Sequence, residues 1–203
     1  MGKNLLVRWL FFFTGIMLIG LGIAFTIRGQ RYGIGSWDVL HMGMTIHFGL
    51  SVGSWSIIVG LAIVLFTAVV LKQLPRLGTF MNMIFCGMFL DMFNALLPEV
   101  HSTVLEFICF LIGILLIGVG CAIYISSNLG AGPRDSLMLL FVEKLRWSIT
   151  VARTAMEVFA AAAGYLMGGP VGIGTIVMVF ALGPIIQAVL PVSKKVLAKC
   201  IHE

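Results

Sequence analysis

IGLGIAFTIRGQRYGIGSWDVL at residues 19–40 returns, with one gap, as IGVGCAIYISSNLGAGPRDSL at residues 117–137. Gly20 matches Gly118, Gly22 matches Gly120, and Ala24 matches Ala122. Further on, Gly33 matches Gly130, Gly35 matches Gly132, Asp38 matches Asp135 and Leu40 matches Leu137. The likeness resumes with Gly78-Thr79 against Gly174-Thr175, Gly87 against Gly183, and Leu97-Pro98 against Leu190-Pro191. Two copies of one unit in a strongly apolar chain mark a transporter-type membrane fold. The expected organisation is a single membrane domain over 1–203. Its first repeat covers about 5–98 and its second about 104–191, with a basic cytoplasmic tail over 192–203.

Composition places the chain in lipid. It is 60% hydrophobic and 10% charged over 203 residues, where soluble domains carry about 25% charged residues. A helix needs about 20 apolar residues to cross roughly 30 Å of hydrocarbon. The apolar stretches give six spans, at about 5–27, 51–71, 78–97, 104–126, 148–167 and 172–191. Lys3 and Arg8 ahead of the first stretch suggest a signal peptide. The absence of a small-residue cleavage site and the place of this stretch in the repeat argue for a retained helix.

Two segments are too short to span: SWDVLHMGMTIHF (36–48) and PRDSLMLLFVEKLR (133–146). Each follows a Gly-x-Gly break, Gly33-Ile34-Gly35 or Gly130-Ala131-Gly132, and each is expected as a re-entrant or interfacial helix. With three spans per half, an odd number, the second copy enters from the opposite face. The expected fold class is therefore all-α integral membrane, with six transmembrane helices as two inverted three-helix repeats. Lysines and arginines favour the inner side of short loops. Lys3, Arg8, Lys72, Arg76, Arg134, Lys144, Arg146, Arg153 and the tail lysines fall on one side, against Arg28 and Arg31 on the other. Both termini are thus expected in the cytoplasm. The net charge of +5 reflects topology, and no nucleic acid partner is expected.

The candidate binding residues are those at the two breaks: Gly33, Gly35, Ser36 and Asp38 in the first copy, and Gly130, Gly132, Arg134 and Asp135 in the second. Glycine turns a chain sharply at a helix end, and free N–H groups there carry partial positive charge. Asp38 and Asp135 either satisfy the first turn of a short helix or serve as a proton or cation site. Pro133 suits a first helical position. Asp91 and Glu157 are ionisable groups within spans and therefore coupling candidates, Asp91 being favoured. Arg153 stands one helical turn before Glu157 and could pair with it. His41 is expected to make an interfacial hydrogen bond. Trp9, Trp37, Trp55 and Trp147 are read as an aromatic belt at the membrane interface. Cys86, Cys109, Cys121 and Cys200 have no metal-ligand spacing. No metal, cofactor or disulfide is expected, and no catalytic grouping is visible, so an enzyme is not expected.

The pattern G-[IA]-G-[SP]-x-D-x-L, carried by YGIGSWDVLHMG (32–43) and NLGAGPRDSL (128–137), resembles the YczE/YitT-type integral membrane proteins of bacteria. The resemblance covers about residues 10–190. It implies the bacterial cytoplasmic (inner) membrane, a duplicated fold and a poorly characterised permease-type function. YitT-type members often carry a soluble carboxy-terminal domain, so this chain, which stops at Glu203, looks closer to the YczE side.

The leading functional expectation is a secondary transporter or permease that moves a small solute by alternating access between the repeats. Its alternatives are a substrate-binding membrane subunit of an ATP-driven uptake system, a lipid-phosphate carrier or flippase using Arg28, Arg31 and Arg134, and an accessory regulatory membrane protein. The expected partners are the lipid bilayer and a small-molecule or lipid ligand, and a homodimer is compatible with the size.

Overall fold

In hydrocarbon a chain must satisfy its own backbone hydrogen bonds, and the apolar runs of this sequence do so as helices. The computed structural model describes residues 2–130 and 132–202 and contains eight α-helices among them. They are α1 (Gly2–Arg28), α2 (Ser36–Phe48), α3 (Val52–Leu71), α4 (Leu77–Leu96), α5 (Thr103–Ser127), α6 (Pro133–Leu145), α7 (Ile149–Leu166) and α8 (Ile173–His202). A single 3-10 turn, Gln30–Tyr32, links α1 to α2. Ser51 and Ser148 cap α3 and α7, each hydroxyl accepting from the N–H three residues on, Ser54 at 3.1 Å and Val151 at 3.2 Å.

Five helices are long and apolar enough to cross a membrane: α1, α3, α4, α5 and α8. This is one fewer than expected. The sixth expected span forms at the anticipated place as α7, but it has only 18 residues and carries Arg153 and Glu157. At about 1.5 Å per residue it is roughly 27 Å long. The tail also differs from expectation, because α8 runs on through Pro191 to His202 rather than ending at 191. Large apolar side chains such as Phe66, Leu115, Phe159 and Phe180 lie on the outside. They suit a lipid-facing surface. The protein is an all-α, multi-pass membrane protein.

The centre of the fold is the pairing of α1 with α5 through small residues. Gly15 meets Gly120, Gly22 meets Gly113, and Gly29 meets Glu106, so rising numbers in α1 face falling numbers in α5 and the two run antiparallel. A β-carbon at Gly22 would come within 2.8 Å of the Gly113 carbonyl oxygen. Such backbone contact is how helices associate without a hydrophobic drive between them. Exchanging the two sequence copies turns the Gly15–Gly120 contact into the Gly113–Gly22 contact.

Other contacts obey the same exchange. Gly20 packs on Phe89 of α4, and its counterpart Gly118 packs on Ile185 of α8. The first break seats Gly33, at φ +104°, against Gly172 and Thr175 at the start of α8. The second seats Leu129 and Gly130 against Gly78 and Thr79 at the start of α4. Likewise α2 packs on α7, and α6 packs on α3. These reciprocal pairings point to an internal repeat. One pairing breaks the rule. Gly87 of α4 presses on Gly53 of α3, whereas its counterpart Gly183 of α8 has no atom near its would-be β-carbon, and α7 makes at most glancing contact with α8.

Candidate functional site

The two short helices form where the sequence places them. Gly35 and Gly132 are their N-caps, and Pro133 opens α6, where its missing N–H costs nothing. Both N-termini face one cavity of about 210 Å³, walled further by α1, α3, α4, α5, α7 and α8. Gly35, Ser36, Asp38, Gly132, Arg134 and Asp135 all line it, as do Arg153 and Glu157. Gly33 does not. Gly130 lines a neighbouring recess beside the α3–α4 loop, and Ala131 lies outside the described residues.

Arg134 bridges the two copies. Its guanidinium lies over the Trp37 ring, 5.2 Å from the centroid, and its Nη2 stands 3.8 Å from Asp38 Oδ1. In the sequence repeat Trp37 and Arg134 occupy the same position, one before the matched aspartates, so equivalent side chains have diverged into a cation–π pair. The Asp38 side chain is only 5% exposed, and its Oδ2 rests against Gly35, where a β-carbon would approach within 2.6 Å. Burial pushes the Asp38 carboxyl up to about 6, with the Arg134 guanidinium pulling the other way. Burial pushes the His41 imidazole down to about 3, so the ring is neutral.

Trp37 Nε1, Asp38 Oδ1 and His41 Nδ1 are buried without a hydrogen-bond partner among the described residues. Three such atoms within about one turn of one helix are exceptional, because buried polar groups are otherwise paired. Asp135 is held differently. The Tyr124 hydroxyl donates to its Oδ2 at 3.0 Å, and both residues also line the recess beside the α3–α4 loop.

Several expectations are corrected. Trp37 is 5% exposed and stacked in the cavity, so it is no part of an interfacial belt. Only its alignment with Arg134 could have flagged it. Arg153 and Glu157 form no ion pair with each other among the described residues, which leaves Glu157 facing the cavity. Asp91 lies away from the cavity at the start of α3. There it accepts from the Ser51 hydroxyl and from Gly53 N–H, the contacts of a helix cap. Arg28 closes the end of α4, donating to the carbonyls of Asn94, Leu97 and Pro98 at 2.6–2.9 Å and to Asn94 Oδ1 at 2.7 Å. Arg31 pairs with Glu106 at 2.6 Å. Arg28 and Arg31, two of the three arginines expected to meet a lipid phosphate, are therefore engaged elsewhere. Tyr124 and Asn82, which also line the cavity, carried no signal in the sequence.

A model described as a family of unknown function, DUF6198, matches residues 6–191. The chain is 42% identical over 197 residues to the uncharacterized membrane protein YczE of Bacillus subtilis, covering 97% of this chain and 92% of that protein. It is 34% identical to an uncharacterized protein of Haemophilus influenzae, over 85% of this chain and 78% of that one. It is 27% identical to the uncharacterized protein YyaS of Bacillus subtilis, over 93% and 95% of the two chains. No solved structure matches.

Proposed function

The chain belongs to the family of unknown function DUF6198, and from that premise we propose that it is a secondary transporter working by alternating access. Six helices cross the membrane as two inverted three-helix repeats, with both termini in the cytoplasm. The sixth crossing is α7, whose Arg153 and Glu157 are tolerated because both line the cavity. The short helices dip in from opposite faces, and their N-termini meet at the solute site.

The observation that carries this reading is the broken pairing. In one half α3 is closed on α4 through Gly53 and Gly87, while in the other α7 stands away from α8 at Gly183. The same sequence unit thus holds two packings in one molecule. Exchanging them would close α7 on α8 and part α3 from α4, carrying the site from one face to the other. The packed α2–α7 contact, where Gly164 meets the Leu40 backbone, seals one side. The Tyr124–Asp135 hydrogen bond is the thin partition on the other.

A single cysteine in the cavity tests the proposal. Met138→Cys would be made in a background with Cys86, Cys109, Cys121 and Cys200 changed to alanine. It would then be exposed to a membrane-impermeant thiol reagent in right-side-out and inside-out vesicles. Labelling from both faces is expected. Labelling from one face only, repeated with Glu157→Cys, would rule out alternating access.

A further inference from the structure

Within the cavity the chain supplies its own cation. Arg134 reaches from α6 across the repeat boundary to lie over Trp37 and beside Asp38. Its side chain is 42% exposed, whereas the groups it visits are 5% exposed, so the guanidinium is a loosely held plug in a buried socket. Its distance of 3.8 Å from Asp38 Oδ1 is too long for a hydrogen bond, His41 Nδ1 stands at the same distance, and that oxygen has no hydrogen-bond partner among the described residues. The socket is built to hold a cation more tightly than Arg134 does.

The charges around the cavity nearly cancel, so their placement decides which sign the site favours. Asp38, Asp135 and Glu157 face the cavity, against Arg134 and an exposed Arg153. Each helix N-terminus contributes roughly half a positive charge, which the full charge of its own aspartate outweighs. An entering anion would meet Arg134 and Arg153 but also three carboxylates. An entering cation would meet an aromatic face, a desolvated carboxylate and the unpaired Glu157. The cavity of about 210 Å³ suits a small solute.

We propose that the solute is a small organic cation, of the guanidinium or primary ammonium class, and that Arg134 is its built-in stand-in. The solute displaces the Arg134 guanidinium from Trp37 and Asp38, and the guanidinium returns when the solute leaves. This rests on the transporter reading for its purpose but not for its chemistry. The return of Arg134 neutralises the empty site, so the carboxylate of Asp38 is never left buried without a cation nearby.

The test is calorimetric binding to the full-length protein in lipid nanodiscs at constant ionic strength, with methylguanidinium and ethylammonium as cation probes and acetate and phosphate as anion probes. The cations are expected to bind and the anions not to. Asp38→Asn should weaken cation binding about tenfold or more, and Trp37→Leu should weaken it while Trp37→Phe largely preserves it. Arg134→Ala should tighten cation binding several-fold, because the internal competitor is gone. Anion binding that disappears in Arg134→Ala would overturn the proposal, as would cation binding that weakens in that variant. Absence of cation binding to wild type, with the protein eluting as a single folded species, would overturn it as well. Flux into proteoliposomes separates the two readings. Cation binding without flux contradicts the transporter and leaves the cation site. Flux of anionic or uncharged solutes without cation binding contradicts the cation site and leaves the transporter.

Discussion

Asp38 and Asp135 hold one position in two copies of the same unit, yet their neighbours give them different work. Asp135 is tied to Tyr124, while Asp38 keeps an unpaired oxygen beneath Arg134. With its carboxyl raised to about 6 by burial, Asp38 is ionised above that pH and neutral below it. Arg134 from α6 and Glu157 from α7 face it, and His41 on its own helix is neutral through this range. Cation binding should therefore fall as pH drops through about 6. Calorimetry should show a loss near tenfold between about pH 7.5 and about pH 5. Asp91, by contrast, serves the start of α3. Asp91→Asn should lower thermal stability by about 1 kcal/mol and leave the pH dependence of flux unchanged, measured by melting and by proteoliposome uptake. The aspartates at the breaks were legible because the repeat doubled them. The roles of Trp37 and Asp91 were not, because each depends on a neighbour far away in sequence: Arg134 for one and Ser51 for the other.

Among the elements, the helix pairs record how the repeat is used. The short helices were legible from their length and flanking glycines, and both formed within one residue of the expected bounds. The character of α7 was less so, because Arg153 and Glu157 dilute its apolar run and only the cavity explains them. Equivalent glycines offer a sharp contrast. At Gly87 a β-carbon would meet the Gly53 carbonyl oxygen at 2.6 Å, while at Gly183 it would meet nothing. Gly87→Ala should cost about 1–3 kcal/mol in thermal or denaturant unfolding. Gly183→Ala should leave stability nearly unchanged but slow flux severalfold, since alternation would bring α7 against that position. Equal destabilisation by both would mean that α7 already lies on α8. At the crossing of α1 and α5, Gly22→Leu should abolish folded protein, judged by gel filtration after extraction, because backbone stands where the side chain would go.

At the scale of the molecule, an antiparallel pair of helices sits at the centre, and the breaks of each half rest on the other half. On the proposed alternating access, a rigid shift of one short helix with its partner span would move the opening from one face to the other. The doubled glycine pattern announced an internal repeat from sequence. That α3 packs on α4 while α7 stands off α8 did not follow from it, because this contact depends on how each half packs in the fold. The most direct measurement is the distance between spin labels on α3 and α4, and separately on α7 and α8, in cysteine-free protein in nanodiscs with and without methylguanidinium. The account predicts two distances for each pair, with populations moving in opposition: α7–α8 shortens as α3–α4 lengthens. A single unchanging distance at both pairs, in a protein that binds the cation, would contradict alternating access between the repeats.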